Sequence, residues 1–182
     1  MINRENALSL FKDYVKSDSI RKHCYAVAAS MEEYAEKYGE DKDKWWITGL
    51  LHDFDYEKYP TIPEHVTEGV KILKEKGYPH EIIEAIQGHA EYTGVPRKSL
   101  MAKCLFAVDE LSGFVVALAK VKKGFQMDAE SVKKALKKRG FAAAINRDDI
   151  EKGIMELGVS KEEHFNLVIR ALGRIKEKLG FS

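Results

Sequence analysis

An imidazole and a carboxylate stand side by side at His52-Asp53, directly after the apolar run Trp45-Trp46-Ile47-Thr48-Gly49-Leu50-Leu51. A carboxylate in that position loses much of its hydration and needs a hydrogen-bond donor, a cationic partner or a metal. Adjacent helical residues point about 100° apart, so His52 and Asp53 share one ion only where other helices converge on the same spot. Further ligand-type residues fall on inward lines or inward ends of the helical pattern: His23, His65, His89 and Asp109. One inward histidine is ordinarily a satisfied core residue. Several of them with two inward aspartates are not, because clustered carboxylates in an apolar core resist ionisation unless a multivalent cation holds them together. Mixed imidazole and carboxylate donors suit manganese, iron, cobalt, nickel or zinc, whereas magnesium prefers more oxygen. Such an ion with open positions lowers the pKa of a bound water and polarises a carbonyl or phosphoryl oxygen. His80 and His164, at helix starts in polar surroundings, are expected on the solvated surface.

The elements that must position these residues are helices. Apolar spacing predicts helices over Asn6–Lys16, from the Ser17-Asp18-Ser19 caps to Tyr38 with Gly39 as its stop, and from Asp41 to His52-Asp53. Phe54 to Ile62 reads as a loop, punctuated by Pro60 and Pro63. A helix from Pro63 to Lys76 aligns His65, Gly69 and Ile72, and one opened by Pro79 aligns Ile82, Ile86 and His89. Ser99 caps a long helix to about Val121 with Ala102, Leu105, Asp109, Ser112 and Val116 inward. Asp128–Arg139 reads as a basic amphipathic helix and Asn146 caps a helix to Leu157. Ser160 with Glu163 forms a capping-box pattern before a terminal helix to Leu179, stopped by Gly180. No sustained period-two alternation or Asn-Gly or Asp-Gly hairpin occurs, so the expected class is all-α, in one domain over 1–182.

The order His, His-Asp, His, His, Asp resembles the HD-domain superfamily of metal-dependent phosphohydrolases. The resemblance is carried by Arg21-Lys22-His23, Gly49-Leu50-Leu51-His52-Asp53, His65-Val66-Thr67-Glu68-Gly69, Ala85-Ile86-Gln87-Gly88-His89 and Ala107-Val108-Asp109-Glu110-Leu111. It covers roughly Ser19 to Val121, leaving about 122–182 as a helical extension. It implies a compact multi-helix HD-domain fold in which His23, His52, Asp53 and Asp109 hold one divalent metal. His65 and His89 match the extra histidines of two-metal members, where the carboxylate matching Asp53 bridges the ions; two ions are favoured. The implied activity is hydrolysis of a small phosphate ester, with nucleotides and dinucleotides as the leading class. Two-iron members that carry out oxygenation give an alternative, and a non-catalytic binding or regulatory protein with a structural metal gives another.

Candidate phosphate clamps are Arg21, Lys22, Lys58, Arg97, Lys98 and Lys103, with Lys58 preferred because its loop leaves the His-Asp pair directly. Asp55 and Glu91 are the nearest acids for proton transfer. The run Lys133-Lys134-Ala135-Leu136-Lys137-Lys138-Arg139 reads first as a solvated face. Its functional alternative folds the C-terminal half over the site and presents Lys137, Lys138 or Arg147 to phosphate.

The 182 residues suffice for a substantial core without disulfides. With 30 lysines and arginines against 29 acids there is no bulk electrostatic reason to expect nucleic acid or an anionic membrane. The N-terminal stretch lacks the apolar core of a secretion signal, and a cytoplasmic location is the expectation. Cys24 and Cys104 have no metal-finger spacing and read as small buried hydrophobes. A homo-oligomer is compatible with Leu118, Val121, Phe125 and the terminal helix, which can pack within the chain or against a partner.

Overall fold

The computed structural model describes residues 2–182, which form helices and turns with no strand among them. The order is α1 (Arg4–Tyr14), α2 (Asp18–Tyr38), α3 (Lys42–Leu51), α4 (Glu64–Glu75), α5 (His80–His89), a 3-10 turn (Glu91–Thr93), α6 (Leu100–Lys122), α7 (Ala129–Leu136), α8 (Arg147–Leu157) and α9 (Lys161–Arg174). Most boundaries follow local chemistry. Asp41, Ser99, Asp128, Asn146 and Ser160 each accept a hydrogen bond from a backbone N–H of the following helix, meeting donors the first turn cannot satisfy itself. The Ser160 box forms only in half: Glu163 N–H donates to Ser160 Oγ, but the Glu163 carboxylate is turned to Lys37 on α2. The terminal helix stops at Arg174, short of the expected Leu179, and continues as turns to Gly180.

Helices α2 and α6 are the spine, and the side chains they bury join those of the other helices in one continuous apolar cluster. α3 lies against α2 closely enough that a Cβ on Gly49 would stand 2.7 Å from the Ala28 Cα. Only glycine permits that approach, which holds the His52 end of α3 beside His23. Ser30 and Ser112, both fully buried, pair through their hydroxyls at 3.0 Å and lock α2 to α6.

Three further expectations need correction. His164 is not on the surface but fully buried. It is the fourth residue after its cap, in phase with the buried Val168 and Leu172, so the inward face of α9 begins at the histidine. The basic helix ends at Leu136, and the connection after it is held by Arg147. That guanidinium donates to the carbonyls of Leu136 (3.1 Å), Lys138 (3.3 Å), Phe141, Ala142 (3.3 Å) and Ile145 (3.2 Å), so Arg147 is spent on backbone rather than presented to phosphate. Finally, α4 is broken at its start: His65 has φ −53°, ψ 141° and Val66 φ +65°, ψ −44°. A positive φ is strained for a β-branched residue. No helix of the described chain is long and apolar enough to cross a membrane.

Candidate metal centre

Five elements deliver the inward donors to one place. α2 brings His23, the end of α3 brings His52 and the turn after it Asp53, the break in α4 brings His65, the last residue of α5 is His89, and mid-α6 supplies Asp109. They form two triplets, His23–His52–Asp109 and Asp53–His65–His89, within each of which the donor atoms lie inside 4.8 Å of one another. Asp53 stands between them. Its Oδ2 is 3.5 Å from His52 Nε2 and 3.7 Å from His23 Nε2, while its Oδ1 is 3.3 Å from His65 Nε2 and 3.2 Å from His89 Nε2. Asp109 Oδ1 lies 3.0 Å from His23 Nε2 and 3.4 Å from His52 Nε2.

The outer faces of the imidazoles determine what the inner faces offer. His52 Nδ1–H donates to the Gly49 carbonyl (2.8 Å), His89 Nδ1–H to the Ile86 carbonyl and His65 Nδ1–H to Asp55 Oδ1 (3.1 Å). Each neutral ring therefore turns an Nε2 lone pair inward. Those lone pairs face carboxylate oxygens and one another; His23 and His52 meet Nε2 to Nε2 at 3.2 Å. Asp53 Oδ1 is the buried side-chain polar atom left without a hydrogen-bond partner among the described residues. Acceptors gathered on acceptors with an orphaned buried carboxylate oxygen fit a set of cation ligands.

The electrostatics agree. Burial opposes charge on His52 and His65, yet the surrounding aspartates outweigh it and push both pKa values up to about 9. Burial likewise opposes ionisation of Asp53 and Asp109, but the imidazoles hold both carboxyls below the usual range. The cluster thus calls for positive charge at its centre, which protons supply when no metal does.

The proton-transfer candidates are placed differently from the expectation. Asp55 is buried and faces the outer side of His65: Oδ1 takes the His65 Nδ1–H and Oδ2 the Gly69 N–H at 3.0 Å. A Cβ on residue 69 would stand 2.7 Å from Asp55 Oδ2, so glycine is what lets this carboxylate reach the backbone. Asp55 orients the His65 ring and does not line the cavity. Glu91 is exposed and paired to Lys152 and Arg97.

The cavity above the cluster, about 360 Å³, is lined by His23, Asp53, Tyr56, His65, His89, Asp109, Glu110, Gly113, Ala144 and Ile145. No lysine or arginine is among them. Lys58 sits over the Tyr14 ring at 4.9 Å. Arg97 is drawn into the fold, bidentate to Glu156 (2.6 and 2.7 Å), donating to the Gly88 carbonyl and lying over Phe106. Lys22 pairs with Asp18, Arg21 donates to the Val15 carbonyl, and Lys103 lines a separate cavity with Glu91 and Arg97. Lys98 is exposed on the connection before α6. The C-terminal extension does reach over the site, but with Ala144 and Ile145.

Two polar wall residues, Tyr56 and Glu110, escaped the sequence reading, as did the apolar Gly113, Ala144 and Ile145. Tyr56 packs edge-on against His65, with ring centroids 5.0 Å apart. Glu110 lies one residue past Asp109, so a strict inward line passes it by. Burial, then the Asp109 charge, pushes its carboxyl up to about 7, while one oxygen accepts the Asn146 N–H at 3.1 Å. Its signal was its adjacency to Asp109 on a helix half-buried around the site.

A family model described as "HD domain" matches residues 20–113, just over half of the chain. The chain belongs to the HD-domain family. The all-helical HD-domain fold follows, and HD domains are typical of metal-dependent hydrolases that bind divalent ions. Among curated proteins and among solved structures, no match was found.

Proposed function

We propose that this HD-domain protein is a metal-dependent phosphohydrolase acting on a small phosphate ester. In this reading His23, His52 and Asp109 hold one divalent ion, His65 and His89 a second, and Asp53 bridges them. The observation that carries the proposal is the division of Asp53, one oxygen toward each triplet, with Oδ1 otherwise unpartnered. Bound ions of this kind supply an activated water and polarise a phosphoryl oxygen. The protein's own part is to aim the Nε2 lone pairs of His52, His65 and His89, fix His65 through Asp55, and wall the space beside the cluster with Tyr56, Ala144 and Ile145. A volume of about 360 Å³ is at the small end of ligand cavities, roughly 300–1,000 Å³. It favours a mononucleotide or sugar phosphate over a dinucleotide.

The test is chelator-stripped protein reloaded with manganese, iron, cobalt, nickel or zinc in turn, assayed for phosphate release from a panel of monoesters and nucleotides. At least one loaded form is expected to turn over, and His52→Ala and Asp53→Ala are expected to lose both metal and activity. One observation favours a second reading, iron-dependent oxygenation: the cavity offers no cationic side chain to a phosphate. Oxygen consumption by the iron-loaded protein without phosphate release would establish that reading in place of the first.

A further inference from the structure

The cavity wall beyond the two donor triplets carries one ionisable side chain that could pair with a ligand, and it is acidic. Glu110 faces the same space as Asp109 from the next position on α6, and Gly113, one turn further, leaves room beside it where a Cβ would already meet Ile145 at 3.3 Å. One Glu110 oxygen is engaged by the Asn146 N–H, which fixes the carboxylate against the covering segment. Its other oxygen makes no hydrogen bond to the described protein. With no lysine or arginine lining the cavity, an acceptor there is satisfied by water or by a donor on the ligand. The same wall gives a phosphate no cation to pair with, so the phosphate belongs at the metal end and the part of the ester nearest Glu110 is its alcohol portion. Resting on the phosphohydrolase reading, we propose that Glu110 is a specificity-determining residue that selects esters carrying a hydrogen-bond donor, a hydroxyl or an ammonium group, close to the phosphate.

Three isosteric probes test this: 2-hydroxyethyl phosphate, 2-aminoethyl phosphate and propyl phosphate, which differ only in the terminal group. Binding to metal-loaded protein is measured by calorimetry at pH 8.5, where the Glu110 carboxyl is ionised, and, in parallel, kcat/KM is measured by phosphate release. At least one donor-bearing ester is expected to bind tenfold or more tighter than propyl phosphate, the scale of a hydrogen bond to a charged group. Glu110→Ala, checked for an unchanged melting temperature, is expected to erase that preference. Glu110→Gln separates the two donors, keeping a preference for hydroxyl and losing one for ammonium. Equal binding of the three esters overturns the inference, as does binding of none. A uniform fall across all three in Glu110→Ala also overturns it, because that would mean the residue only holds the covering segment. Discrimination in binding without phosphate release would instead defeat the hydrolase reading and leave the role of Glu110 intact.

Discussion

Asp55 shows how much of the site depends on a residue outside both donor triplets. Both of its oxygens accept hydrogen bonds, from His65 Nδ1–H and from the Gly69 N–H. An amide has one acceptor and one donor end, so Asp55→Asn sets N–H against N–H at one of the two contacts. Loss of such an outer partner typically weakens metal affinity by about 10–100-fold. The expected outcome is selective weakening of the Asp53–His65–His89 triplet, read as a metal titration in which one step shifts and the other does not. Equal weakening of both steps would mean that Asp55 acts on the fold and not on His65. That the two triplets of donors would converge was legible from the sequence, because imidazole and carboxylate on apolar faces have few other uses. Asp55 was visible as an acid but not as an orienter, since its partner lies ten residues away across a turn whose geometry no spacing encodes.

At the scale of elements, helix limits were legible wherever a side-chain cap fixes them. α6 begins after Ser99 and α8 after Asn146 as read. What periodicity missed were the breaks. His65 was expected from regular helical phase, yet it is delivered by a kink with Val66 at φ +65°, and Tyr92 Oη donates to the His65 carbonyl there at 2.9 Å. The basic stretch gave no hint that its end is organised by one arginine from the next helix. Arg147 gathers carbonyls from residues 136 to 145, the segment that carries Ala144 and Ile145 over the cavity. Arg147→Ala is expected to destabilise the protein by about 2 kcal/mol, the scale of hydrogen bonds to a charged group. Amide exchange should accelerate most strongly over 137–146. Arg147→Lys should rescue little, because an ammonium cannot fan five donors across separate carbonyls. Full rescue by lysine would show that charge, and not the fork, holds the segment.

Across the whole molecule, the fold class and the convergence of α2, α3, α5 and α6 could be read from apolar phase, whereas the way the C-terminal extension is fastened could not. The fastening is a buried polar contact between residues far apart in sequence. His164 on α9 donates from Nε2 to the Ala107 carbonyl on α6 (3.0 Å), so its Nδ1 lone pair accepts the Tyr34 hydroxyl from α2. Burial, the largest influence, lowers the His164 pKa from 6.5 to about 4. The unfolded chain therefore binds a proton that the folded chain refuses between those values. Stability from this group is complete above about pH 6.5 and is lost as pH falls toward 4. The amount is about 3 kcal/mol, from that pKa difference at 1.36 kcal/mol per pH decade. His164→Gln has no such proton to refuse. Urea midpoints of metal-free protein at pH 8 should thus favour the wild type, and its lead over the variant should shrink by about that amount between pH 6.5 and 4. Taking the difference between the two proteins cancels the titration of the aspartates and imidazoles at the metal cluster, which both share. A lead that stays constant with pH would mean that His164 titrates as freely folded as unfolded, and that α9 is held to α2 and α6 by its apolar contacts alone.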